Sequence, residues 1–194
     1  MDHHHLIEER ISSESVFRGR LLSVFRDTIK LPNAKLSTRE FVMHPGAVMI
    51  IPLDEDEAGV IQLVLERQFR YPMGCVMIEF PAGKLDAGEL TFDCAKRELF
   101  EETGYSATHW ARAGVMHPVI SYSTEFIEIW FARGLTLSER QLDPDEFLDV
   151  YTVPVQEFFD ACRDGRITDA KTLTGALWLQ NYLSGTWSLD WQVS

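Results

Sequence analysis

A layered α/β domain with a mixed β-sheet, preceded by a small antiparallel β unit, is the fold class this 194-residue chain predicts. Three observations carry that expectation. Two short apolar runs, residues 47–53 and 60–65, flank the acidic turn Asp54-Glu55-Asp56-Glu57-Ala58-Gly59 and read as buried strands. Further on, Phe92, Ala95 and Leu99 recur at helical spacing beside a run of charged residues. Two more helical patterns close the chain after a series of strands.

The elements follow in order. Residues 16–31 are rich in β-branched and aromatic side chains, with Arg18, Arg20 and Arg26 interspersed, and break at Leu31-Pro32-Asn33. Residues 37–43 form a second such segment, ending at His44-Pro45-Gly46. Two or three antiparallel strands with a turn near Pro32 and Asn33 account for both. So small a sheet cannot stabilise itself, which sets residues 1–45 apart as an N-terminal unit and leaves 46–194 as the main domain. After the two buried runs, residues 77–80 form a short strand leading into Pro81-Ala82-Gly83, and the charged helix follows. Strands are expected near 107–116, 125–132 and 148–153, and helices over 155–162 and 169–183. Asp169 and Lys171 bracket the start of the last helix, and Leu173, Ala176, Leu177, Trp178 and Leu179 give it a wide apolar face. No internal repeat or low-complexity stretch interrupts the pattern.

Composition is that of a globular protein, with 45% hydrophobic and 25% charged residues. No apolar run approaches the ~20 residues needed to cross a bilayer, and no basic-then-apolar leader opens the chain. A cytoplasmic protein without membrane partners is the expectation. Cys75, Cys94 and Cys162 are odd in number and form no CxxC pair, so reduced core thiols are expected. A net charge of -12 argues against nonspecific nucleic-acid binding. It leaves phosphorylated small molecules open, because a bound divalent cation inverts the local field. His3, His4 and His5 receive no role.

The chemistry lies in residues 83–105. At about 100° per residue, Glu98 and Glu102 project only about 40° apart on the helix. Glu101 lies on the flank beside Glu98, and Arg97 sits one turn before Glu101. Parallel carboxylates one turn apart, at the edge of a buried face, repel each other unless a cation lies between them. Their hard oxygens suit magnesium or manganese rather than zinc. Glu98 and Glu102 are therefore the expected metal ligands, with Glu101 next, and Mg2+ the expected cofactor, for which Mn2+ can substitute.

The same stretch resembles the box of the Nudix hydrolases, G-x5-E-x7-R-E-U-x-E-E-x-G-U, in which U is aliphatic or aromatic. The matching places are Gly83, Glu89, Arg97, Glu98, Leu99, Glu101, Glu102, Gly104 and Tyr105. Seven fixed residues at roughly 6% background each coincide by chance in fewer than about one in a million chains of this length. The resemblance implies an α/β/α sandwich and metal-dependent hydrolysis of a pyrophosphate bond. It also implies that the backbone oxygen before the first box glycine, that of Ala82, binds metal. Glu89 and Arg97 hold loop to helix on this reading, and Arg97 and Glu101 join the catalytic set.

The flanks are similar to the ADP-ribose pyrophosphatase branch. Glu66-Arg67-Gln68-Phe69-Arg70 and Glu79-Phe80-Pro81-Ala82-Gly83-Lys84 precede the box, and Thr38-Arg39-Glu40 and His44-Pro45-Gly46-Ala47 lie further upstream. That likeness implies cleavage of ADP-ribose to AMP and ribose 5-phosphate by a homodimer that exchanges N-terminal sheets. It places Arg70 on the diphosphate, with Arg67 the weaker arginine. Arg39 would reach the substrate from the partner subunit, and Glu79 would serve the ribose or metal-bound water. Arginine forks suit phosphate oxygens on chemical grounds as well. The base in this branch comes from an acidic loop after the box. Glu146 aligns best, with Asp145, Asp143 and Glu139 as alternatives.

Two matters stay open on the sequence. The turn 117–125 keeps Pro118 but lacks the branch's glycine, so another nucleotide sugar of the GDP-mannose type is an alternative substrate. A module that senses ADP-ribose without cleaving it is a further alternative. Trp110, Trp130, Phe25 and Phe41 are the aromatics available to stack on a base.

Overall fold

The computed structural model describes residues 3–138 and 147–194. Its chain divides into two compact units: Met1–Gly46 with His117–Phe126, and Ala47–Met116 with Ile127–Ser194.

The first unit is a three-stranded antiparallel sheet in the order β1 (Glu9–Arg18), β2 (Ser23–Lys30), β3 (Leu36–Met43). The β2–β3 hairpin turns through Pro32 and Asn33, as expected, with Lys30 opposite Leu36. Strand β1 begins well before residue 16, where the sequence expectation placed the first strand. Its residues are exposed on both faces, so Glu9 to Ser15 carry no alternation of apolar and polar side chains to betray them. Phe25 and Phe41 stack on each other across β2 and β3, with ring centroids 6.0 Å apart. The segment 117–126 joins this unit, beyond the boundary at 45, through hydrogen bonds from Val42 N to Tyr122 O (2.8 Å) and from Thr124 N to Val42 O (3.0 Å). Such long-range pairing leaves no local mark in sequence.

The second unit is a mixed sheet between two helical layers. Its strands are β4 (Ala47–Glu55), β5 (Ile61–Arg70), β6 (Cys75–Glu79), β7 (Ala82–Lys84), β8 (Tyr105–Met116), β9 (Ile127–Leu137), β10 (Leu148–Pro154) and β11 (Trp191–Val193). The main order is β10-β5-β4-β9-β8-β11, with β6 on β5 and β7 on β4. Only the β4–β9 pair is parallel among the described strands, which makes the sheet mixed. Helix α1 (Thr91–Thr103) lies on one face, and α2 (Val155–Arg163) and α3 (Ala170–Leu183) on the other. Strand β4 shows why. Val48 and Ile50 pack with Cys94, Ala95, Leu99, Trp110 and Trp130 under α1, while Met49 and Ile51 pack with Phe158, Ala161, Ala176 and Leu179 under the other two. Both faces of this strand are covered, so it reads as an unbroken apolar run rather than an alternating one.

Several spans differ from expectation at their ends. Strand β5 continues past residue 65 to Arg70, and β9 continues past residue 132 to Leu137, because residues of mixed polarity extend each ladder beyond its unbroken apolar run. The three-residue strands β7 and β11 are too short to show a period. Cys94 is buried and Cys162 partly so, but Cys75 is exposed at the start of β6 and is no core thiol. No helix among the described residues is long and apolar enough to cross a membrane.

One feature of the sheet positions the chemistry. Near their hairpin, β4 and β5 pair directly, over Leu53–Glu55 and Ile61–Leu63. Farther along they part: β7 takes the edge of β4 at Ala47–Met49, and β6 takes β5 at Glu66–Arg70. Residues 79–84 cross this split, and α1 lies over it.

Candidate active site

Each fixed place in residues 83–105 has a physical duty. An ideal Cβ on Gly83 would fall 1.8 Å from Glu98 Cδ and 1.9 Å from its Oε1, so only glycine admits the carboxylate against the strand. Gly104 ends α1 in the left-handed region (φ 77°), its N–H closing on Phe100 O at 2.8 Å. Leu99 is fully buried beneath the helix. Glu89 and Arg97 form the clasp between loop and helix. Arg97 Nε and Nη2 donate to the two Glu89 oxygens, both at 2.8 Å, and Nη2 also reaches Lys84 O at 3.2 Å. Arg97 drives the Glu89 carboxyl down to about 2, burial working against it, and the Asp86 N–H adds a further bond. In return, the Arg97 guanidinium is held charged above its ordinary value.

Arg97 also donates through Nη1 to Glu98 Oε1 (2.8 Å) and Glu101 Oε2 (3.0 Å). Its donors are thus spent on three carboxylates and a carbonyl, a holding geometry rather than one presented to a reactant. Glu102 is buried at 3% exposure and accepts from Ala82 N at 3.0 Å. The Glu98 and Glu101 side chains are 13% and 37% exposed, so Glu98 is enclosed and Glu101 faces the rim.

Glu98 and Glu102 are therefore both drawn to the Ala82–Gly83 backbone, across the split in the sheet. The donor set, two carboxylates seated against the strand backbone, fits a hard divalent cation. The cradle left by the missing Gly83 side chain supports the same fit. No three His, Cys, Asp or Glu residues converge into a ready cage among the described residues, and Arg97 lies between Glu98 and Glu101. Two enclosed carboxylates alone suit a divalent cation that keeps much of its water.

On the other side of the split, β5 and β6 carry the second cluster. Glu66 and Glu79 are buried and stand opposite each other in the ladder. Arg70 grips Glu79 with Nε (2.7 Å) and Nη2 (2.8 Å) in a bidentate pair. Burial pushes the Glu79 carboxyl up, but Arg70 and Lys171 outweigh it and hold it below its ordinary value. Arg70 is raised, chiefly by Glu79, with Glu66 and Glu102 adding to its field. Arg67 lies instead over the Tyr151 ring, 3.9 Å from its centroid. Arg39, in the N-terminal unit, pairs with Glu8, its Nε donating to Oε2 at 3.0 Å.

Other expectations fare differently. Trp110 and Trp130 are buried with Phe92 in the core under α1, so neither is available to stack on a base. Glu139, Asp143, Asp145 and Glu146 lie outside the described residues. Sequence reasoning passed over three partners. Glu128 on β9 accepts from Thr91 Oγ1 at 2.7 Å and so fixes the start of α1. Lys171 and Asp169 at the start of α3 bind into the Glu79 cluster. A signal for Lys171 did exist: a lysine in the first turn of a helix opposes the helix dipole and needs another reason to be there.

Comparison with known proteins places this geometry. Residues 43–174 match the model of the NUDIX domain. An ADP-ribose pyrophosphatase of Bacillus subtilis (strain 168) is 33% identical over 177 residues, covering 90% of this chain and 94% of that one. A methanol dehydrogenase activator of Bacillus methanolicus is 36% identical, covering 89% and 92%. Among solved structures, a crystal structure of an ADP compounds hydrolase superposes with a TM-score of 0.81 at 25% identity, covering 92% of this chain and 95% of that one.

Proposed function

The chain belongs to the Nudix family, and from that premise we propose that it hydrolyses the pyrophosphate bond of a nucleoside diphosphate sugar, ADP-ribose first, yielding AMP and ribose 5-phosphate. The observation that carries this reading is the seating of Glu98 and Glu102 on the Ala82–Gly83 backbone, facing the Arg70 cluster across the divided sheet. Nudix hydrolases need a divalent metal; we assign Mg2+ here, with Mn2+ as substitute, to Glu98, Glu102, Glu101 and the Ala82 carbonyl. Such a cation neutralises phosphoryl oxygens and makes water a stronger nucleophile at neutral pH.

The chain's own residues supply the rest. Arg70, aligned by Glu79, offers its remaining guanidinium edge to a diphosphate oxygen. Arg97 and Glu89 keep the helix in register with the loop, and Arg97 Nη1 steadies the Glu98 carboxylate. Water adds to one phosphorus as the bridging P–O bond breaks, and its proton passes to a carboxylate. We assign that role to Glu146, with Glu101 contributing to the catalytic set. Strand β10 begins at Leu148, opposite Gln68 in the stretch of β5 that bears Arg67 and Arg70. Arg67 and Glu79 complete the proposed substrate-binding set, with Arg39 contributed by a partner subunit.

A panel of ADP-ribose, GDP-mannose and dinucleotides, incubated with Mg2+ and resolved by chromatography, tests the substrate. AMP with equimolar ribose 5-phosphate from ADP-ribose is the expected result. Rapid cleavage of GDP-mannose with ADP-ribose left intact would select the alternative substrate. Binding without cleavage would select the sensor, which the complete set of box carboxylates disfavours. Arg70→Ala should raise KM for ADP-ribose about tenfold or more, the worth of one charge-assisted hydrogen bond, with a smaller change in kcat. An unchanged KM removes Arg70 from the diphosphate.

We also assign dimerisation to the N-terminal unit, residues 1–45, leaving residues 46–194 as the catalytic domain. Strand β1 is an edge strand exposed along its whole length, with Ile11, Val16 and Phe17 uncovered. Light scattering should give a dimer for the full chain and a monomer for 46–194. A fully active monomer of the full chain overturns the assignment.

A further inference from the structure

Lys171 sits in the first turn of α3, where the helix dipole is unfavourable to a cation, and its side chain is only 11% exposed. Its ammonium donates to Glu79 Oε2 and, at 3.0 Å, to Asp169 Oδ2. Asp169 is the N-cap of α3 and also accepts from Thr172 N (2.9 Å) and Thr172 Oγ1 (2.7 Å). Thr172 Oγ1 accepts in turn from Phe80 N at 3.1 Å. The start of α3 is thus latched to two consecutive residues at the end of β6, Glu79 through Lys171 and Phe80 through Thr172.

Glu79 stands between two cations. One carboxylate oxygen receives Arg70 Nε, and the other receives both Arg70 Nη2 and Lys171 Nζ. The pair with Glu79 uses two of the three Arg70 nitrogens and leaves Nη1 outside it. By sharing the Glu79 charge, Lys171 limits how far that carboxylate neutralises Arg70, and by fixing the carboxylate plane it fixes the direction of the guanidinium fork.

The geometry points to Lys171 as a positioning residue for phosphate recognition, acting through Glu79 to orient Arg70 and preserve its charge for the substrate's diphosphate. This rests on the reading of Arg70 as a diphosphate contact, and it adds a residue from the far end of the chain to that site.

A double-mutant cycle tests it. Lys171→Met keeps the apolar stem and removes the charge. For members of one ion-pair network it should raise KM for ADP-ribose about tenfold, with kcat within about twofold of wild type. Lys171→Arg should recover most of that loss. In an Arg70→Ala background, Lys171→Met should change KM by less than about twofold, because the residue it acts through is gone. A purely structural latch would lower the melting temperature in both backgrounds and leave the KM effects additive. Additive effects, or no effect on KM in the wild-type background, overturn the proposal. Should Lys171→Met fail to fold, Lys171→Gln takes its place under the same criteria. If wild-type protein leaves ADP-ribose intact, the substrate reading has failed, and the cycle is read on the Kd for inorganic pyrophosphate with Mg2+, which tests Lys171 alone.

Discussion

Glu102→Gln is expected to lower kcat by about a hundredfold to a thousandfold, the range seen when one preorganised electrostatic group is removed from a reacting centre. The substitution preserves shape, and its remaining carbonyl oxygen can still accept from Ala82 N, a bond of 3.0 Å in the wild type. Folding should therefore survive, with the melting temperature close to that of wild type. What is lost is a full negative charge in a buried place, and with it, on the proposed ligand assignment, the grip on a divalent cation. Raising Mg2+ should recover part of the rate if weakened cation binding is the cause. Turnover near the wild-type value at low Mg2+ would remove Glu102 from the ligand set.

Gly83→Ala should be almost as damaging to activity, and for a different reason. Gly83 does not occupy a left-handed conformation, so alanine suits its backbone. The obstacle is the Glu98 carboxylate, whose atoms lie 1.8–2.3 Å from the place a Cβ would take. A carboxylate at the end of a flexible side chain can swing away cheaply, so stability should change little. Its displacement by an ångström or more should cost about a hundredfold in kcat. The variant should resemble Glu98→Gln, and combining the two should add little to either. A large fall in melting temperature with normal kcat in the folded fraction would show that the contact serves packing alone.

The box was legible in sequence because its duties are local. A glycine against a carboxylate, a clasp eight residues long and a glycine helix cap all lie within 22 residues, so their spacing survives as a pattern. The buried strands β4 and β5 were legible for a similar reason, as apolar runs on either side of an acidic turn. Strand β1 was not, since a strand exposed on both faces has no hydrophobic period. The partners of Glu79 and of α1 were missed for a third reason. Lys171 and Glu79 are 92 residues apart, and Thr91 and Glu128 are 37 apart, so only the closed sheet brings them together. Trp110 and Trp130 illustrate the converse: composition offered them as stacking platforms, whereas burial against Phe92 commits them to the core.

Binding of Mn2+ to wild-type protein and to a Glu98→Gln/Glu102→Gln variant, read by the electron paramagnetic resonance of the free ion while ADP-ribose cleavage is followed on the same samples, tests the metal-carboxylate centre most directly. Wild-type protein should take up Mn2+ and release AMP, and the variant should do neither at the same concentrations. Equal Mn2+ uptake by both proteins, or ADP-ribose cleavage undiminished in the variant, would contradict a catalytic cation held by these two side chains.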